Sequence, residues 1–552
     1  MQPVVREQGG LATQGSTRRG GSEPLLAAAL FALLFAVWLE TPGSFLAEPD
    51  EARYAEIPRE MLATGDFVTP RLNGVPYFEK PPLLYWANAA SFALFGETPW
   101  SARLPTRLAG TATALLLAWA VARLGGRREG LFAGIFFLAA PFGFACARTN
   151  LTDGVLTFFF TATLLSAFAV LRRAAAGRPA SALAAAAGAL AGAGFLSKGL
   201  IAIVLPGGIL LFWALAAKSL RSLRALLLSP APVAFAAVAA PWALLAERAN
   251  PGFLEFFFVR EHFQRFATPA ASRPGPIYYF AALFLAGFLP GLPFFFRGAR
   301  EGLRRDPVSL FFLIWFSVVL VFFSVSQSKL PPYIFPAFPA AAALAAGGLA
   351  RSGGSAVPWR WHAALVAVFL AALAATPDIR RAVEESGLLA LVLVGSAALL
   401  AGAAWALRAR GPDRALAGIG LGWAGLFVVL GLAWPRLALA TDLTALADAA
   451  QRAASAPRAR IVSYRCYAQT FPWRLRRVVP LADYKGELED QWLSRERRDE
   501  IFWTRSRFWE QWGSGDRLVA LLRARDRADF ERARPAARFL ECRGKYCVAA
   551  NW

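Results

Sequence analysis

The residues able to do chemistry in this 552-residue chain are charged side chains placed at the ends of apolar runs. Two stretches share one pattern, Glu79-Lys80-Pro81-Pro82 and Lys329-Leu330-Pro331-Pro332-Tyr333. Proline suits the first turn of a helix, where its missing N–H costs nothing. Each stretch therefore predicts a helix start whose free N–H groups and neighbouring lysine attract an anion. Snorkelling lysines at helix ends are the plainer explanation of either stretch taken alone. Lys198 lies between two apolar runs, where a charge is costly and is a functional candidate by default. Asp50, Arg53, Asp153, His262 and Arg265 add further acids and bases.

The elements that carry these residues are helices in a membrane. The chain is 57% hydrophobic and 17% charged, with a mean hydropathy of +0.43. A span needs roughly 20 mostly apolar residues, and such runs recur from residue 24 to about residue 440. They are continuous rather than alternating, which selects helices over a barrel. Thirteen spans are predicted, among them 24–45, 199–217 and 277–296. The first run follows Arg18 and Arg19 without a small-residue cleavage site and reads as an uncleaved span.

Basic residues concentrate in alternate short loops, such as Arg123/Arg127/Arg128 and Arg297/Arg300/Arg304/Arg305. That side is cytoplasmic by the positive-inside rule. The net charge of +22 is accordingly an insertion signal, and no nucleic-acid partner is expected. The candidate residues all fall on the opposite, external face, in loops 46–101 and 248–276 and at the neighbouring span ends. Their convergence on one face outweighs the bland reading of each.

In the first external loop, Tyr54, Ile57, Met61 and Leu62 form one apolar helical face, with Glu56, Arg59 and Glu60 opposite. A short helix in the membrane interface fits, with Pro58 marking its first turn or a kink. A second short helix is predicted over Leu83–Phe95. Residues 1–23 read as a disordered cytoplasmic segment and 24–440 as the membrane domain. An odd number of spans leaves 441–552 outside, as a small α/β domain. Its predicted strands are Arg460–Tyr467 and Arg477–Ala482, and its predicted helices Leu488–Arg498 and Arg525–Arg534. Cys542 and Cys547 flank a turn-like tetrapeptide, and an oxidising exterior makes a disulfide feasible. Cys146 reads as a buried apolar residue, and Cys466 is left unpaired.

The stretches PDEARYAEIPREML, YFEKPPLLYWANAASFALFG and ARLPTRLAG closely resemble the 4-amino-4-deoxy-L-arabinose lipid A transferases. RTNLTD at 148–153, LSKG at 196–199, FVREHFQRF at 258–266, SKLPPY at 328–333 and KGELE at 485–489 extend the resemblance. Pro58 departs from the usual small residue of the family. The resemblance implies the GT-C glycosyltransferase fold of the protein-mannosyltransferase-like superfamily, in a bacterial inner membrane with a periplasmic active site. It implies a sugar donor on undecaprenyl phosphate and lipid A phosphate as acceptor, a modification that favours polymyxin resistance. Asp50 matches the essential aspartate, Asp153 a second acid that orients the sugar, and Arg53 a residue orienting Asp50 or a phosphate. Lys80, Lys198, Arg265, Lys329 and Tyr333 are expected to hold the carrier phosphate. Glu79 and His262 match positions where relatives hold a divalent metal such as zinc, although two ligands make no complete site.

A monomer is expected. A protein O-glycosyltransferase with the same kind of donor is the alternative. A secondary transporter is more distant, because it would place its polar groups at mid-bilayer on broken helices. The topology is tested by single cysteines: one replacing Arg128 should label only from the cytoplasmic side, and one replacing Asp66 only from outside. External labelling at 128 would overturn the assignment of faces.

Overall fold

The computed structural model describes residues 23–39, 45–264, 274–304, 306–352, 357–437, 442–455, 459–533 and 537–552. The expected disordered N-terminal segment before residue 23 lies outside them. Among the described residues, eight single helices are long and apolar enough to cross a membrane. They include α4 (Pro99–Gly125), α7 (Thr152–Ala175) and α8 (Ser181–Lys198). Three helix pairs bent at a break, each a broken span or a re-entrant loop, add to these, among them α5 (Arg127–Ala139) with α6 (Pro141–Arg148), bent by 67°. The shorter helices α1 (Glu23–Leu39) and Ile201–Ala216 coincide with two more predicted spans, so every predicted segment meets a helix.

One span departs from expectation. Residues 277–296 are not continuous but divide into Tyr279–Gly287 and Leu292–Leu303, bent by 118°. Pro290 lacks the N–H that would extend the ladder across the break.

The loop between α1 and α4 holds α2 (Asp50–Thr64), a hairpin of β1 (Arg71–Leu72) and β2 (Val75–Pro76), and α3 (Leu83–Phe95). The α3 bounds match the prediction from the double proline. The predicted polar face of α2 does not reach solvent: Glu56, Arg59 and Glu60 are all buried. Pro58 stands in the interior of α2 rather than in its first turn. The reason is tertiary. The apolar face packs on Leu84, Tyr85 and Val155, and Tyr467, Leu481 and Ile501 of the tail join the same cluster.

Every buried charge on α2 is consequently paired. Arg59 donates to both oxygens of Glu56, at 2.6 and 2.7 Å. Both oxygens of Glu60 accept from the Gly74 N–H. Asn73 (φ 56) and Gly74 (φ 77) form the two-residue turn of the hairpin. Positive φ at both positions is what a type I′ hairpin demands and what Asn-Gly supplies. The Asn73 side chain donates to Val479 O and accepts from Val479 N, each at 2.8 Å, which fastens the hairpin to the tail.

The tail holds a six-stranded mixed sheet, order β5-β4-β3-β6-β8-β7. The strands are β3 (Arg460–Tyr464), β4 (Leu481–Ala482), β5 (Phe502–Trp503), β6 (Leu518–Arg523), β7 (Arg538–Arg543) and β8 (Tyr546–Ala550). β3 to β6 pair in parallel, and β8 runs antiparallel to both β6 and β7. Alternation sends Ile461, Val519 and Leu521 to one core and Val462, Ala520 and Leu522 to the other, so both faces are covered. The predicted strand Arg477–Ala482 shrinks to its last two residues, and Leu488–Arg498 is not one helix. Instead a helix runs over Arg495–Ile501, capped by Ser494. The second predicted helix contracts to Arg527–Ala533. Cys542 and Cys547 face each other across β7 and β8 and are joined as a disulfide.

The strongest tie between loop and bundle is Glu51 with Arg103 of α4. Two N–H···O bonds of 2.8 and 2.6 Å join them, and Arg103 also donates to Phe45 O. Glu51 accepts in addition from the N–H groups of Ala47 and Asn150. Burial raises the pKa of this carboxyl, but Arg103 and the N–H donors outweigh it and leave the group below its usual value. A depressed folded-state pKa stabilises above the ordinary glutamate range, and that stability is lost as the pH falls through the shifted value. Arg103→Ala should strand a buried carboxylate and cost about 3–5 kcal/mol. In detergent it should unfold at lower temperature than wild type, and an unchanged transition would refute the assignment.

Candidate active site

Asp50 opens α2, and Arg53 lies one turn on, so the two share a face. Arg53 reaches Asp50 at 2.9 Å. Its other nitrogens bond both oxygens of Glu487, at 3.1 and 2.6 Å, across 434 residues of sequence. The guanidinium also lies over the Tyr77 ring, 5.9 Å from its centre. Burial pushes the Glu487 carboxyl up, Arg53 pulls it down and Glu79 raises it again, with a net upward shift. Arg53 and Glu487 border a cavity of about 490 Å³ shared with Tyr467, Gln469, Tyr484 and Lys545.

A second cluster forms between helix ends. Asp153 sits in the first turn of α7 and Lys198 is the last residue of α8, the ends that favour an acid and a base respectively. The two are paired at 2.5 Å. The Lys198 ammonium stands 4.8 Å from the ring centre of Tyr333, which lies in the 3-10 turn Pro331–Ala337. Lys329 is turned toward backbone, donating to Ser324 O and Ser326 O at the end of the helix Pro307–Val325.

Tyr54 on α2 is buried, which raises its phenol pKa; Arg53 opposes this, and Asp50, Glu79 and Asp153 push it further up. The Tyr77 and Tyr85 hydroxyls are buried without a hydrogen-bond partner among the described residues. Lys80 precedes α3 and donates to Glu79 O at 2.8 Å. Glu79 borders a cavity of about 30 Å³ with Glu261, Glu487 and Glu489. Among the described residues no three His, Cys, Asp or Glu side chains converge closely enough to hold a metal ion. The His262 side chain and all of Arg265 lie outside the described residues.

Sequence reasoning missed Arg103, Glu487 and the two tyrosines as parts of this region. Arg103 and Glu487 stand inside the stretches that carried the family resemblance, and that was the only signal for them.

A helical membrane bundle with this acid and lysine constellation at its helix ends, closed by a mixed α/β domain, has the architecture of the GT-C membrane glycosyltransferases. Residues 26–257 match the family described as dolichyl-phosphate-mannose-protein mannosyltransferase, and residues 446–551 the aminoarabinose transferase C-terminal domain. The undecaprenyl phosphate-alpha-4-amino-4-deoxy-L-arabinose arabinosyl transferase of Aeromonas salmonicida is 36% identical over 57% of this chain and 58% of its own. That of Edwardsiella ictaluri is 35% identical over 59% of each chain. These matches span under two thirds of the relatives' length. ArnT from Cupriavidus metallidurans, solved bound to undecaprenyl phosphate, superposes with a TM-score of 0.84 at 29% identity, covering 96% of this chain and 97% of that one. In sequence and in fold the chain is thus similar to the 4-amino-4-deoxy-L-arabinose transferases.

The Arg53–Glu487 pair is tested by a double-mutant cycle on thermal stability. Arg53→Ala and Glu487→Ala should be non-additive by about 0.5–3 kcal/mol. Additive losses would show that the two side chains act independently.

Proposed function

We propose that the chain transfers 4-amino-4-deoxy-L-arabinose from undecaprenyl phosphate to a phosphate of lipid A. The reaction would run at the periplasmic face of a bacterial inner membrane and favour resistance to polymyxin and other cationic peptides. The observation that carries this reading is the superposition on a relative solved with undecaprenyl phosphate, nearly end to end. In the transfer, an acceptor phosphate oxygen bonds to the anomeric carbon as the bond from that carbon to the carrier phosphate oxygen breaks. The carrier leaves with the electron pair as undecaprenyl phosphate.

Fixed cations at the leaving phosphate are the main catalytic requirement. Lys80, Arg265 and Lys198 are proposed for that role, with Tyr333 setting the position of Lys198. Lys329, bound to two carbonyls, supports the same corner. A phosphate monoester has its second pKa near roughly 6 and is mostly ionised at neutral pH, so the acceptor needs little help losing a proton. Asp50 then orients Arg53, and Asp153 orients Lys198 and the sugar. The unpartnered Tyr77 and Tyr85 hydroxyls suit the polar edge of a sugar. Glu79 and His262 are proposed ligands of a divalent metal, which when bound would offset negative charge beside the site.

The match of residues 26–257 to protein mannosyltransferases favours a rival acceptor, a protein hydroxyl. A hydroxyl would require a positioned general base. Lipid A from cells with and without the gene should differ by a pentosamine-sized mass. Lys80→Ala should lose about one to two decades of rate at normal expression. Equal transfer to a dephosphorylated lipid would sink the phosphate-acceptor reading. Zinc retained unchanged in Glu79→Ala, or absent from wild type, would remove the metal assignment.

A further inference from the structure

A cavity of about 510 Å³ opens where the C-terminal end of α2 meets the tail. Arg59, Arg71, Arg476, Arg477 and Arg497 line it, against one acid, Glu60. Glu60 is buried and committed to the Gly74 N–H. Arg59 is held by Glu56, while Arg71, Arg476 and Arg497 reach Asp66, Glu97 and Glu500, none of which lines the cavity. Arg477 makes no hydrogen bond or ion pair among the described residues and is exposed. A concave surface lined by one sign of charge concentrates the opposite charge.

This groove and the Asp50–Arg53 centre occupy opposite ends of one helix. Ala63, which lines the groove, follows Arg53 by ten residues, about 15 Å along α2 at the usual rise. We infer that the groove is an acceptor subsite, holding a second phosphate of a multiply phosphorylated glycolipid while its reacting phosphate lies at the Asp50 end. The inference rests on the acceptor reading above. Arginine is the residue for such a task, since its fork matches phosphate oxygens two at a time. Arg477 has its donors uncommitted, and Arg497 is tied only by an exposed pair with Glu500.

The test uses the full chain in detergent micelles, comparing wild type with an Arg477→Ala/Arg497→Ala double variant. Rates are measured with undecaprenyl-linked donor and either bisphosphorylated or monophosphorylated lipid A. The KM for the bisphosphorylated acceptor should rise about tenfold or more, the size of one lost charge-assisted contact. The kcat, the donor KM and the monophosphorylated acceptor should be unaffected. An unchanged KM, or an equal rise for both acceptors, would overturn the subsite. Binding of bisphosphorylated lipid A without donor separates this from failure of the transfer reading. Weaker binding by the variant supports the groove even where no transfer occurs, and equal binding overturns it. Inorganic pyrophosphate displacing the lipid at equal concentration would assign the groove to a soluble phosphate and overturn the lipid assignment.

Discussion

The half of the molecule that carries the candidate site depends on the Glu51–Arg103 ion pair. It joins the first residues of α2 to the membrane helix α4, and the same carboxylate holds the Asn150 turn that leads into α7. Asp50 and Asp153 flank this joint, one on α2 and the other at the start of α7. Their separation is therefore set by a single buried contact network. A buried pair adds little net stability over apolar packing, but losing one partner is severe. Its value here is geometric: it fixes the two acids relative to each other.

The same reasoning extends to the tail. Outside the apolar face of Tyr54, Ile57 and Met61, helix α2 carries acids and arginines that are mostly buried. Burying it under a polar-edged domain gives each charge a partner. Asn73 and Glu487 supply contacts that neither the loop nor the tail could make alone. The six-stranded sheet acts as a rigid backing for these two anchors.

Much of this was legible in the chain and some was not. Apolar runs fix helices through composition alone, and the double prolines placed α3 to the residue. The family stretches gave the candidate acids and lysines, of which Asp50 with Arg53, and Asp153 with Lys198 and Tyr333, come together. The buried polar face of α2 was not legible, because a helical wheel reports polarity and not what covers it. The Arg53–Glu487 contact spans 434 residues, beyond any local periodicity. Short strands such as β4 and β5 carry two residues each, too few to alternate. The hairpin turn was signalled by Asn73-Gly74, a pattern the reading of the loop passed over. The break at Pro290 was hidden by an unbroken apolar run.

Glu487 borders both the large cavity beside Arg53 and the small one beside Glu79. Its two oxygens are already shared with Arg53 and Gln469. Whatever draws on this carboxylate from one side changes the field on the other. A ligand that drew on Glu487 in either cavity would alter binding in the other, and by the same factor in both directions.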